Sequence, residues 1–262
     1  MTMDVRVQGL SKVYRQKGTG RSVVALQGLD FAVRRGEVVA IVGQTGCGKS
    51  TFLNILIGLE APTAGKVEVD GREPYRDFAF FRGRIAAVFQ QDRLLPWRTV
   101  LANVELPLEI LGTEPQRRRH LAQHWLVKLG LGGFLHAFPN ELSGGMRQRV
   151  ALARAFAVNP EILVADEAFG HLDEVTAAQI RQDFLSLARA DAKTVFLVTH
   201  QIEEALSVGE RVLVFGQPGR LLADIRPDAF LGGDRVRTRQ VIQSMLNTGR
   251  PAVDMEMHEV SG

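Results

Sequence analysis

The sequence predicts an α/β fold built on a mostly parallel sheet with helices on its faces, and three observations carry that prediction. Short apolar runs alternate with helical patterns along most of the chain, as stacked strand–helix units require. The runs Val38–Val42, Ile162–Ala165 and Thr194–Thr199 are apolar on both faces, like strands covered on both sides. The first of them leads into Gly43-x-x-x-x-Gly48-Lys49-Ser50, and a helix-compatible run from Thr51 to Gly58 follows, the strand–loop–helix context of a phosphate-binding loop.

The other elements follow in order. Residues 23–33 and 66–70 read as antiparallel strands, Val67 and Val69 alternating with Lys66, Glu68 and Asp70 before a turn at Asp70-Gly71. From Thr99 to about Leu129 the pattern is helical, broken by Pro107 and by Gly112-Thr113-Glu114-Pro115, and Gly130 to Pro139 is loop-like. These residues read as a helical subdomain, inserted at about 96–141 in a domain spanning 1–228. Residues 229–262 form a short tail, with helical periodicity at 235–246 and a polar end.

Composition sets outer bounds. The 262 residues suffice for one large domain, or a domain and a subdomain, with a real core. A net charge of +3 does not argue for nucleic acid. Cys47 is the only cysteine, which excludes an internal disulfide and fits a reducing compartment. Met1 to Arg6 lack the basic-then-apolar layout of a signal peptide. No apolar run approaches the ~18 residues of a membrane span, so a role at a membrane is expected to pass through a partner.

Three segments carry the chemistry. In the loop, glycines at 43, 46 and 48 allow tight turns that aim backbone N–H groups at phosphate oxygens, and the following helix adds its positive end. Lys49 is expected to reach the β- and γ-phosphates and Ser50 to hold Mg²⁺. Asp166 and Glu167 close an apolar strand; Asp166 is placed to hold Mg²⁺ and Glu167 to orient and deprotonate an attacking water. Ser143 can cap a helix starting near Met146, and Gly144 and Gly145 leave its first N–H groups uncovered, which makes a second anion site. One chain thus carries two half-sites for one triphosphate.

Leu142-Ser143-Gly144-Gly145-Met146-Arg147-Gln148-Arg149-Val150 closely resembles the signature motif of ATP-binding cassette (ABC) transporter ATPases, and the resemblance extends over roughly residues 4–225. Residues 43–51 resemble that family's Walker A loop and 162–167 its Walker B strand. Tyr14 resembles the aromatic that stacks on adenine, Gln90 the Q-loop glutamine, Leu172-Asp173 the D-loop and His200 the switch histidine at the γ-phosphate. The resemblance implies an α/β P-loop NTPase with a RecA-like core, an antiparallel β subdomain and an inserted α-helical subdomain. It implies a catalytic set of Glu167, His200 and Lys49, and metal-binding by Ser50, Gln90 and Asp166. The implied nucleotide-binding set is Tyr14, Gly43, Gln44, Thr45, Gly46, Cys47, Gly48, Lys49, Ser50, Thr51, Gln90, Ser143, Gly144 and Gly145. The cofactors implied are ATP and Mg²⁺. In the family two cassettes pack head to tail, each ATP lying between one Walker A loop and the other signature motif. Departures are Ala168 where Pro is usual, His171 where a small residue opens the D-loop, and Gln201 where Asp commonly follows the switch histidine.

Residues 90–97 (QQDRLLPW) and 166–173 (DEAFGHLD) look like those of importers for nitrate, sulfonates, taurine and related small molecules. The implied function is the ATP-hydrolysing subunit of such an importer, at the cytoplasmic face of the membrane. Its implied partners are a second ABC ATPase subunit, permease subunits and, indirectly, an extracytoplasmic solute-binding protein. An ABC ATPase driving an exporter or lipoprotein release is the alternative. A small-molecule kinase would need an acceptor site and would not need Ser143-Gly144-Gly145. Trp97 has two readings, an anchor for the helical insert or a contact to the permease. His120 and His124 share a helix face, and with Arg117-Arg118-Arg119 read as a solvated surface rather than a metal or nucleic-acid site. Arg147, Arg149 and Arg154 read as structural ion-pairing groups.

Overall fold

The computed structural model describes residues 4–15 and 21–251. Its first elements are β1 (Val5–Arg15), β2 (Ser22–Val33), β3 (Val38–Gly43), α1 (Lys49–Leu56), β4 (Ala64–Val69), the single turn α2 (Phe78–Phe81) and β5 (Ile85–Phe89). Then come α3 (Val100–Ile110), α4 (Pro115–Lys128), α5 (Gly144–Ala157), β6 (Ile162–Asp166) and α6 (Glu174–Ala190). The last are β7 (Thr194–Thr199), α7 (Ile202–Val208), β8 (Arg211–Gly216), β9 (Arg220–Ile225) and α8 (Arg235–Thr248). The described residues form two compact units, one made of the chain up to Phe80 and from Thr194 onward, the other of Phe81–Lys193.

The first unit holds a three-stranded antiparallel sheet in the order β2-β1-β4. Its β1 is not among the strands the pattern predicts. Bulges between Val7 and Val13 shift its register repeatedly, and each shift erases the two-residue alternation that marks a strand in sequence. The turn after β4 forms as expected: Asp70 (φ 52°) and Gly71 (φ 72°) are both left-handed, and Val69 and Arg72 exchange backbone hydrogen bonds of 2.8 and 3.0 Å.

The second sheet of this unit places β3 between β7 and β8, parallel to both, with β9 antiparallel to β8. All six residues of β3 are buried. Phe52 of α1 packs its ring 5.5–6.0 Å from those of Phe31, Phe196 and Phe215, which seats α1 on the sheet and fixes the loop between β3 and α1. The periodicity at 235–246 is realised as α8, capped by Asp234 and anchored through buried Thr238, Ile242 and Met245. Of the tail, residues 252–262 lie outside the described residues.

In the second unit β5 pairs in parallel with β6. Pro107 does not break the helical pattern as expected, since α3 runs through it. The proline removes one backbone donor, but Val100, Leu101, Val104 and Leu108 hold the helix by burial. The break at 112–115 is real: Glu114 accepts from the N–H groups of Gln116 and Arg117 and Pro115 opens α4. The signature helix α5 buries Val150, Ala153 and Ala157, and a ring series Trp125–Phe156–Phe184 (4.9 and 5.8 Å) ties α4, α5 and α6 together. Among the described residues no helix is long and apolar enough to cross a membrane.

Candidate functional site

On the first unit the loop after β3 is shaped by its glycines. A side chain at Gly43 would place its Cβ 2.7 Å from the Phe215 carbonyl and 2.6 Å from Cys47 Sγ, and one at Gly48 (φ 99°) would fall 2.3 Å from the Ala25 carbonyl. Gly48 caps α1 with no side-chain acceptor, so the first N–H groups of that helix remain directed at the loop. Phe52 N–H closes the first helical bond to Gly48. Lys49 is only 5% exposed; its ammonium donates to the carbonyls of Gly43 (2.6 Å) and Gln44 (3.1 Å). Cys47 is buried beneath the loop, and burial raises its thiol pKa despite neighbouring Lys49, so the protonated thiol is favoured. Its N–H donates to Gln44 within the loop at 3.2 Å.

The fold brings two more expected residues to this loop. The parallel register pairs Val42 with Thr199, so His200 leaves β7 beside the point where Gly43 leaves β3. Thr199 Oγ1 accepts from Gln201 N–H at 3.0 Å, turning the chain into α7 and leaving His200 exposed. Tyr14, half-exposed on β1, donates to Glu60 at 2.5 Å and is hydrogen-bonded to Thr51, the residue that closes the loop motif. Partial burial and the Glu60 carboxylate raise its pKa. Glu60 also pairs with Lys12 at 3.0 Å, and the Lys12 ammonium stands 5.1 Å from the Tyr14 ring centre. No local pattern in the sequence signals Glu60, because its partner lies 46 residues away.

On the second unit, Phe89 of β5 pairs with Asp166 of β6, so Gln90 and Glu167 leave adjacent strand ends side by side. Glu167 takes a left-handed backbone (φ 48°). Ser143 caps α5 through a 3.3 Å bond from Met146 N–H. The helix begins at Gly144, two residues before its expected start. The glycines there also have a packing reason: a Cβ on Gly145 would meet Thr176 Cγ2 at 2.8 Å, and one on Gly144 would touch Leu172 at 3.4 Å. They let the start of α5 close onto α6.

The arginines of α5 hold the segment after Gln90. Arg147 pairs with Asp92 at 3.0 Å and donates to the Leu142 carbonyl at 2.7 Å, just before Ser143. Arg149 pairs with Asp183 at 2.8 Å. Arg154 differs from the expected ion-pairing role: it donates to the Asp92 and Arg93 carbonyls at 2.6 and 2.8 Å, because the left-handed turn at Arg93 (φ 49°) presents them. Burial lowers the Arg154 pKa, opposed by the Asp92 charge. Gln90, Asp92, Arg93, Arg147 and His171 line a cavity of about 560 Å³. Fully buried Asn103 accepts from Leu95 N–H and donates to the carbonyls of Leu95, Arg98 and Thr99, pinning the loop around Trp97. Trp97 itself is 71% exposed, so it is no anchor of the helical core.

A family model described as "ABC transporter" matches residues 26–170. An uncharacterized ABC transporter ATP-binding protein of Methanocaldococcus jannaschii is 40% identical over 239 residues, covering 90% of this chain and 86% of that protein. The taurine import ATP-binding protein of Rhizobium johnstonii is 47% identical over 209 residues, 78% of this chain and 77% of that protein. A solved dimeric structure, the post-hydrolysis state of an ATP-binding cassette bound to ADP and Pi, is similar with a TM-score of 0.76 and 36% identity, covering 86% of this chain and all of that one.

Proposed function

The chain belongs to the ABC transporter family, and from that premise we propose that it is the ATPase subunit of an importer for a small solute of the nitrate, sulfonate and taurine class. The observation that carries the importer reading is the segment from Gln90 to Trp97. Arg147, through Asp92, and Asn103 hold it in place, yet it presents an exposed indole, the form of an interface anchor. The 47% identity to a taurine import protein supports the same branch.

In this reading two chains pair head to tail, and each triphosphate is held by the Walker A residues Gly43–Thr51 of one chain and by Ser143, Gly144 and Gly145 of the other. Tyr14 stacks on the base. Lys49, drawn from its loop carbonyls, meets the β- and γ-phosphates. The oxygen donors of Ser50, Gln90 and Asp166 are of the kind a hard cation takes, and they would hold Mg²⁺. When bound, Mg²⁺ neutralises charge on the phosphate oxygens. Glu167 accepts the proton of the attacking water, and His200 contacts the γ-phosphate. The mechanism is phosphoryl transfer to water, driven by positioning and charge rather than by a covalent intermediate. The subunit sits at the cytoplasmic face on permease subunits that receive solute from an extracytoplasmic binding protein.

The test is reconstitution in proteoliposomes with a permease and a binding protein of the taurine and sulfonate class. ATP-dependent inward movement of taurine or a related sulfonate is expected. Outward movement, or lipoprotein release without solute uptake, would overturn the importer reading.

A further inference from the structure

We infer that helix α8 is a latch on the phosphate loop: Gln44 Nε2 donates to the Leu246 carbonyl in the last turn of α8 at 3.0 Å, and this bond sets how firmly the loop holds nucleotide. The inference rests on the loop being the nucleotide site. The last carbonyls of a helix lack partners within it. In α8 the Met245 carbonyl is closed by Gly249 N–H at 2.8 Å, with Gly249 in the left-handed capping conformation (φ 66°). The Leu246 carbonyl turns instead to Gln44, and that of Gly249 accepts from Arg220. The helix is fixed along its length by buried Thr238, Ile242 and Met245, and Arg239 pairs at 3.0 Å with Glu203 of α7, the helix that opens two residues after His200.

One helix outside the cassette motifs therefore touches both the loop carrying Lys49 and the element that follows His200. Loop and helix meet across a mostly polar cleft of about 210 Å³ lined by Gln44, Phe215, Gln217, Leu246, Thr248 and Gly249. That volume holds several waters at ~30 Å³ each, so the hydrogen bond, rather than an apolar seam, is the joint. A single hydrogen bond on a ligand-binding loop corresponds to roughly 3- to 10-fold in affinity. Coupling is reciprocal: if α8 orders the loop, nucleotide on the loop orders α8.

The experiment uses the full chain and ADP, which binds without turnover. In the wild type, ADP is expected to slow hydrogen exchange of the amides at 247–249 several-fold. Gln44→Ala should raise the ADP Kd roughly 3- to 10-fold and abolish that protection. Arg220→Ala, which loosens the helix end without touching the loop, should raise Kd less, and the double variant should bind no worse than Gln44→Ala alone. Melting temperatures near the wild-type value establish that both variants are folded. Normal ADP binding with unchanged exchange at 247–249, or effects of the two substitutions that multiply, would overturn the latch alone. Failure of the wild type to bind ADP would overturn the nucleotide-site reading and the latch with it.

Discussion

Glu167 shows how a residue at the end of an apolar strand is aimed. Its left-handed backbone costs a non-glycine residue roughly 1–2 kcal/mol, and the buried side chains of Ala168 and Phe169 hold the chain that follows. Where proline would limit the backbone at 168, burial of Ala168 does the holding here. As the proposed base, Glu167 is worth on the order of 10²-fold or more in rate. Glu167→Gln is expected to bind ATP normally, slow phosphate release by that factor and accumulate as a dimer on size-exclusion chromatography; turnover at the wild-type rate would remove Glu167 from the role. Gly145 tests packing rather than chemistry. Gly145→Ala drives a methyl to 2.8 Å from Thr176 Cγ2 and should cost about 1–2 kcal/mol in urea unfolding, less whatever helix propensity returns. Thr176→Ser removes the clashing methyl and should recover most of that loss in the double variant.

Among the elements, α3 and α5 define how the second unit presents its motifs. Arg147 and Arg154 tie the Gln90–Trp97 segment to the signature helix, and Asn103 ties it to α3. Those partners lie 55, 62 and 8 residues apart, so their types were visible in the sequence while their pairing was not. Asn103→Ala leaves the Leu95 N–H and the Arg98 carbonyl without their partner, while the Leu95 and Thr99 carbonyls keep backbone donors in Arg98 and residue 103. It should destabilise the chain by about 2–4 kcal/mol and speed hydrogen exchange at 95–99 ahead of α3 itself. Pro107 gives the complementary lesson. A proline predicts a break from the local backbone alone, but buried contacts on one face of α3 outweigh one lost hydrogen bond.

At the scale of the whole molecule, the chain is an α/β P-loop NTPase whose motifs are complete in kind but distributed over two compact units. The signature glycines begin a helix capped by the Ser143 side chain, and under the proposed function they serve the nucleotide of a second chain. Ser143→Arg places a long cation over that helix start. It is expected to abolish ATP hydrolysis while an isolated chain still binds ATP with near wild-type affinity by equilibrium dialysis. The lost cap should cost about 1 kcal/mol and leave the fold intact. Hydrolysis at the wild-type rate in that variant would mean that the triphosphate does not use the signature segment.

The buried strands β3, β6 and β7, the phosphate loop, the acidic pair and the capped signature helix were all legible in the sequence, because each is dictated by neighbours within a few residues: apolar runs, obligatory glycines, a serine before a helix. The bulged β1 escaped because its register shifts erase the alternation that would announce it. The partners of Tyr14, Asp92 and Gln44 were decided only by the tertiary structure. A hydrogen bond across tens or hundreds of residues leaves no periodic trace in the chain, and only folding brings its donor and acceptor within reach.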